Sequence, residues 1–403
     1  MKAERKPLGL YIHIPFCKSK CAYCDFYSLP HAEERMNDYE KALCAHLTET
    51  APRADRHTVD TVYFGGGTPT LLGAARLGRI LSTIQKKYHM AKGAEITLEA
   101  NPDSAGDWKE LRALRRAGFN RISLGMQSAS DEELRELGRV HTFEQVRKAV
   151  EAVRRAKIKN LSLDLIYGLP HQTGEQWAKN LAAAVELQPE HLSCYGLKVE
   201  EGTPLFDRKE TAGLPDDEAQ ADMYLHTVAF LKEHGYLQYE ISNFAKPGFA
   251  SRHNMKYWTL HEYAGFGPGA HSDFGGVRYA YVRDLDAYIK GVLEEVPMLS
   301  ESESIPPLDR DTEYLMLGLR TVRGIGQKEF EQRFRRRFDC FLPFLQECAA
   351  AGYAVAEADR WHLTPEGFLV SNRIIGGLLD ALSEDKRQRA EAAARGDFRV
   401  RLP

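Results

Sequence analysis

The stretch Cys17-Lys18-Ser19-Lys20-Cys21-Ala22-Tyr23-Cys24 follows directly on the apolar run Leu8 to Phe16. Three thiols fall in one short loop at the end of what reads as the first strand. Closely spaced cysteine thiolates are the usual ligands of iron–sulfur clusters and of zinc. Their number weighs between the two. A structural zinc site takes four ligands, usually from a pair of C-x-x-C knuckles, and no such pair is present. Three ligands on a four-iron cluster leave one iron uncoordinated by protein and open to a small molecule. The bland alternatives are a zinc site completed by a distant His, or thiols with no joint role. The tight spacing weighs against both.

Outward from that loop, short apolar β-rich runs alternate with amphipathic helical stretches. Strands are predicted at Leu8–Ile14, Thr61–Phe64, Glu95–Glu99, Arg121–Met126, Leu161–Ile166 and His191–Leu197. Helices are predicted between them at Met36–Glu49, Ala74–Tyr88, Trp108–Ala117, Phe143–Ala156 and Gly174–Glu186. This βα alternation predicts an α/β fold built on a parallel sheet. A partial (β/α)6 barrel fits, with active residues at the C-terminal ends of its strands. The cysteine loop sits at such an end.

The second strand runs into Gly65-Gly66-Gly67-Thr68-Pro69-Thr70. Consecutive glycines at a strand end let a ligand approach the backbone, where N–H groups would grip a carboxylate and carbonyls an amine. Taken alone the run would read as a flexible turn. Glu99 closes the third strand, Gln127 the fourth, and Asp164 interrupts the apolar run Leu163 to Ile166. A carboxylate in a core strand costs several kcal/mol unless partnered, so a ligand or cation is expected beside it. Internal salt bridges or caps are the ordinary alternative. Arg139, in Leu137-Gly138-Arg139-Val140-His141, would otherwise read as a surface residue.

Composition bounds the function. At 403 residues, the chain exceeds what one core usually holds, so a main domain and a small one are expected. A net charge of −3 argues against a broad nucleic-acid-binding surface. Seven cysteines, four of them isolated, suit a reducing compartment better than a disulfide framework. The charged start and the brief apolar run argue against a signal peptide, and no run reaches membrane-spanning length. A cytoplasmic protein with no membrane insertion is expected.

The C-x3-C-x-aromatic-C spacing and the GGGTP run resemble the radical S-adenosylmethionine (SAM) superfamily. In that superfamily the open iron of a [4Fe–4S] cluster chelates SAM. Within it, the chain resembles the oxygen-independent coproporphyrinogen III oxidase family, and there the HemW-type heme chaperones. The resemblance assigns Cys17, Cys21 and Cys24 to the cluster. It implies that Tyr11, Gly66 and Glu99 contact the SAM on the cluster. Tyr23, Gly67, Thr68, Gln127, Arg139 and Asp164 match contacts that the oxidases make to a second SAM. Two departures separate the chain from the oxidases: Phe26 stands where they carry a fourth Cys, and only ten residues precede Tyr11, where they have a longer segment. Both departures are shared with the chaperones.

After the barrel strands comes His253-Asn254-Met255-Lys256-Tyr257-Trp258, the HNxxYW motif of the chaperone group. Without the resemblance, a His beside Tyr and Trp reads as a hydrogen-bonded core residue. With it, His253 becomes the leading candidate for an axial heme ligand. The Gly265–Ser272 run would be a loop able to close over a cofactor. Residues 297–308 read as a linker after a 1–296 core. Residues 309–382 read as a C-terminal winged-helix-like domain, and 383–403 as a charged tail, a frayed helix or disordered. Arg333, Arg335, Arg336 and Arg337 form a basic cluster that more often marks a solvated helix face than a nucleic-acid contact. The expectation is a heme carrier that binds a [4Fe–4S] cluster, SAM and heme, forms a homodimer promoted by the cluster, and delivers heme to recipient apo-hemoproteins. Reductive SAM cleavage stays open, with no substrate implied. The rivals are coproporphyrinogen oxidation and a DNA-binding regulator.

Overall fold

The computed structural model describes residues 5–395. Six parallel strands pair in chain order: β1 (Lys6–Ile14), β2 (His57–Gly66), β3 (Met90–Ala100), β4 (Arg121–Gln127), β5 (Asn160–Tyr167) and β6 (His191–Gly196). Between successive strands lie α1 (Met36–Thr50), α2 (Gly73–Lys87), α3 (Trp108–Ala117), α4 (Phe143–Arg155) and α5 (Gly174–Glu186). Their ends carry local signals. The Asp107 side chain accepts from the Lys109 N–H at the start of α3, and Gly118 ends that helix at φ +130°. Thr142 with Gln145, and Thr173 with Gln176, form reciprocal capping boxes that start α4 and α5.

Strand alternation sorts the two faces. Along β4, Ile122, Leu124 and Met126 are fully buried in the core between sheet and helices, with Leu77, Ile80 and Leu81 of α2 in the same cluster. Arg121, Ser123, Gly125 and Gln127 take the other face and line a cavity inside the barrel. The sheet does not close on itself. Tyr263–Phe266 extends it beside β1 in parallel, while Asn243–Ala245 runs antiparallel beside β6. The fold is thus the expected open barrel of six βα units.

Two local expectations change. The Gly265–Ser272 run is no lid: it joins two paired sheet strands, Tyr263–Phe266 and His271–Phe274. The stretch read as a linker contains Leu299–Ser304, a strand next to Val277–Tyr281 at the end of the sheet. Its side chains are all exposed, so it shows no apolar alternation to announce a strand.

The chain divides into two compact units, the first running through Leu237 with Ser242–Lys256 and His261–Glu303. The second gathers Gln238–Ile241, Tyr257–Leu260 and the described residues from Ser304. Its core is aromatic, with Tyr314, Phe330, Phe334, Phe338 and Phe341 in mutual ring contact. A three-stranded sheet orders Ile325–Gly326, Arg360–Leu363 and Ala354–Glu357. The basic cluster is largely engaged within this unit. Arg336 pairs with the buried Asp311 at 3.0 Å, Arg337 pairs with Asp339, and Arg333 lies over the Tyr314 and Phe334 rings. The tail is helical rather than disordered as far as it is described: Ser371–Ala394 is continuous, tied to Asp311 by Lys386 at 2.9 Å. Residues 396–403 of the predicted tail lie outside the described residues.

Candidate cofactor site

The first strand delivers the cysteine loop to the barrel mouth, and the glycine run meets it there. The Gly67 N–H donates to Ile14 O at 2.8 Å and the Thr68 N–H to Phe16 O at 2.7 Å. These bonds tie the run to the two residues flanking Pro15, just ahead of Cys17. They also revise the reading of the run. The Gly66 N–H is taken by Glu99, so Gly66, Gly67 and Thr68 keep no N–H in hand for a carboxylate. The glycines answer a packing demand instead. A Cβ on Gly67 would stand 2.5 Å from Phe16 O, and one on Gly66, at φ +108°, would strike the His13 ring.

A cavity of about 570 Å³ opens from this junction into the barrel. Cys17, Cys21, Cys24, Tyr23, Gly66, Gly67, Thr68, Glu99, Gln127, Arg139 and Asp164 all line it. Eleven of the thirteen residues singled out in the sequence therefore meet on one surface. Tyr11 and His253 do not line it.

The carboxylates are held differently from the expectation of a cation or ligand. Glu99 accepts from the Tyr63 hydroxyl at 2.7 Å and from the Gly66 N–H at 3.1 Å. Burial pushes its pKa up to about 7 against the pull of those two donors, with the nearby Asp164 charge adding to the rise. Asp164 accepts from three hydroxyls, Ser193 at 2.6 Å, Ser123 at 2.9 Å and Ser162 at 3.3 Å. Burial raises its pKa too, and the serines moderate the rise. Arg139 donates to Asn101 Oδ1 at 2.8 Å, to Gly125 O at 3.3 Å and toward Cys21 Sγ at 3.4 Å. Asn101 in turn donates to Thr68 Oγ1 at 3.0 Å, which lies 3.7 Å from Cys17 Sγ. One network thus links the ends of the second, third and fourth strands to two of the three thiols.

His253 does not line the cavity. It is 1 % exposed, and its Nδ1 lies 2.8 Å from Thr61 Oγ1 inside the barrel. Its ring stacks on Tyr63 at 5.3 Å, and its backbone N–H donates to Glu95 at 3.0 Å. Burial, with the Lys256 charge next, pushes its pKa down to about 3. His253 lies on the helix Arg252–Trp258 and packs against Thr61 and Tyr63 of the second strand and Glu95 of the third. The motif still meets the cavity, through Asn254. Tyr11 is set behind the wall, stacked on Tyr63 at 6.3 Å with its hydroxyl 3.0 Å from His13 Nδ1.

Sequence reading missed Asn101, Arg121, Ser123, Ser193 and Asn254, all of which line the cavity. For Arg121 and Ser123 the signal was present. They share the period-two face of β4 with Gln127, which was noticed.

The donor set suits a cluster. The three cysteines form no disulfide, and burial pushes the Cys24 thiol up, so a bound metal would have to displace its proton. No three His, Cys, Asp or Glu among the described residues converge closely enough to hold a single metal ion.

Comparison with known proteins agrees with this geometry. Residues 11–184 match the radical SAM superfamily, and residues 305–370 match the HemN C-terminal domain. The chain is 35% identical over 376 residues to the heme chaperone HemW of Bacillus subtilis (strain 168), covering 92% of this chain and 99% of that protein. It is 36% identical over 377 residues to the heme chaperone HemW of Escherichia coli (strain K12), covering 92% and 97%. Among solved structures, the coproporphyrinogen III oxidase HemN from Escherichia coli, a radical SAM enzyme, superposes with a TM-score of 0.81 at 26% identity, over 93% of this chain and 90% of that one. On this likeness along nearly its whole length, the chain belongs to the HemW heme chaperone family of the radical SAM superfamily.

Proposed function

We propose that the chain carries a [4Fe–4S] cluster on Cys17, Cys21 and Cys24 and SAM in the adjoining cavity, and that it binds heme and passes it to apo-hemoproteins in the cytoplasm. The observation that carries this reading is the meeting of three undisulfided thiols with Glu99, Arg139 and Asp164 on one cavity wall, in a chain of the HemW family. A cluster held by these cysteines would supply one-electron reducing chemistry to a SAM bound beside it. The protein's part is recognition. Glu99 and Asp164 accept from ribose hydroxyls, and Arg139 pairs with a methionyl carboxylate, within bonding reach of the cysteine loop. Buried walls exclude water around these groups and strengthen each contact.

Membrane insertion plays no part in this reading. Among the described residues no helix is long and apolar enough to cross a membrane. Heme titration of anaerobically reconstituted protein, followed by mixing with an apo-hemoprotein, tests the function. The expected result is a Soret band that passes from this protein to the acceptor. Conversion of coproporphyrinogen III to protoporphyrinogen IX by the same preparation, or failure to retain heme, would overturn the chaperone reading.

A further inference from the structure

Two polar side chains face the cavity with nothing to bond. Arg121 opens β4 and is 2 % exposed, yet it lines the cavity. Its Nε is buried without a partner, and its guanidinium makes no hydrogen bond or ion pair among the described residues. Asn254 of the HNxxYW motif lines the same cavity, and its side-chain amide is likewise unbonded among the described residues. The two share one depth. Tyr63, Thr97 and Arg121 stand in one register row across β2, β3 and β4, and the Tyr63 ring stacks on His253, the residue before Asn254. That depth is the inner one. Arg139 holds Gly125 O beside Cys21, and Arg121 starts the same strand roughly 13 Å further from the cysteine loop, at about 3.3 Å per residue.

The groups around them are engaged. Glu99 holds the Tyr63 hydroxyl and the Gly66 N–H, and Asp164 holds Ser123, Ser162 and Ser193. The helix that carries Asn254 is clamped, its Arg252 and His253 N–H groups on Glu95 at 3.1 and 3.0 Å and its Lys256 on Asp60 at 2.7 Å. A guanidinium keeps its charge when taken out of water, so leaving it without an acceptor is strongly unfavourable. Its planar fork matches the two oxygens of a carboxylate. A phosphate would set up to two charges against one guanidinium, in a cavity that Glu99 and Asp164 already line.

We propose that the inner end of the cavity is a carboxylate subsite, where Arg121 binds both oxygens of a ligand carboxylate and the Asn254 amide donates to one of them. The ligand carries its carboxylate on a short alkyl arm, either as a propionate of heme or as a free acid. The first source rests on the heme-carrier reading; the second does not.

The test uses the full chain with its cluster reconstituted anaerobically, as wild type, Arg121→Met, Arg121→Lys and Asn254→Ala. Heme and heme dimethyl ester are titrated by Soret absorbance, and succinate by calorimetry. If a heme propionate fills the subsite, Arg121→Met should bind heme about tenfold more weakly and Asn254→Ala about threefold, with affinity for the ester unchanged. If a free acid fills it, heme and ester bind alike in every variant, and succinate should bind wild type about tenfold more tightly than Arg121→Met. Arg121→Lys, which keeps the charge without the fork, should fall between. SAM affinity by equilibrium dialysis should stay within about twofold, as for a site beyond about 10 Å. Equal losses for heme and ester, a SAM affinity that falls with them, or an Arg121→Met protein that binds every probe like wild type overturns the proposal. If Arg121→Met does not fold, Asn254→Ala decides. Its preference for heme over ester, or its succinate affinity, must drop about threefold, and no change overturns the subsite. Wild type that retains no heme defeats the carrier reading, and the succinate arm then decides the subsite alone.

Discussion

The Glu99 carboxylate accepts a hydrogen bond from the Gly66 backbone N–H at 3.1 Å, joining the glycine run to the end of the neighbouring strand. Its other oxygen takes the Tyr63 hydroxyl, and Tyr63 stacks on His253 of the helix Arg252–Trp258. A continuous line of contacts therefore runs from the HNxxYW motif to the glycines beside the cysteine loop.

Glu99 makes stability depend on pH in a stated direction. Folding raises its pKa from an ordinary 4.5 to about 7. Between those values the folded protein holds a proton that the unfolded chain has released, so stability falls as pH rises from about 4.5 to about 7 and then levels. The drop from this one buried group is of order 3 kcal/mol. Urea unfolding of the apo-protein at intervals across that window should show a negative slope that Glu99→Gln flattens. Identical slopes in the two proteins would contradict the assignment.

Gly67→Ala should disturb the cysteine loop without touching a cysteine. The added methyl would press on Phe16 O at 2.5 Å and Ile14 O at 2.9 Å, the carbonyls that hold the glycine run to the first strand. A loss of about 1–3 kcal/mol in unfolding free energy is expected. It should come with lower iron retention after reconstitution. Unchanged stability and full iron content would show that the strand end yields more easily than its hydrogen bonds indicate.

His253→Ala separates the motif's two readings. An axial ligand lost from heme would remove or shift the Soret band. The buried placement predicts instead a heme spectrum like wild type, in a protein destabilised by about 2–4 kcal/mol through the lost Tyr63 stack and Thr61 hydrogen bond. Thermal unfolding and heme titration of the same sample decide between them. A normal melting temperature with an altered Soret band would put the imidazole back on the iron.

In the C-terminal unit, Arg336→Ala should behave as a folding variant. Asp311 is fully buried and shares its charge between Arg336 and Lys386. Losing one partner should cost about 1–3 kcal/mol in chemical denaturation. Affinity for duplex DNA that collapses in the variant while stability holds would instead favour a nucleic-acid surface.

Much of the barrel was legible because short β-rich runs alternate with amphipathic helices, and because Glu99 and Asp164 stand out as carboxylates at strand positions. The cysteine loop and glycine run announced themselves by spacing. Other features lay beyond a linear reading. The burial of His253, and its contacts with Thr61 and Glu95, are properties of the fold that its neighbours in sequence do not announce. Arg121 opens its strand, where a cation ordinarily marks the solvent boundary, yet here the barrel wall encloses it. Leu299–Ser304 hides as a linker because an exposed edge strand has no buried face to pattern.

The central claim is that three thiols hold an iron–sulfur cluster at the cavity mouth. Metal and acid-labile sulfide analysis of anaerobically reconstituted protein, beside variants with Cys17, Cys21 or Cys24 changed to Ala, tests it most directly. The account predicts about four irons and about four sulfides per chain in wild type. It predicts that most of both is lost in each variant. Zinc in place of iron, or iron and sulfide retained when these cysteines are replaced, would contradict it.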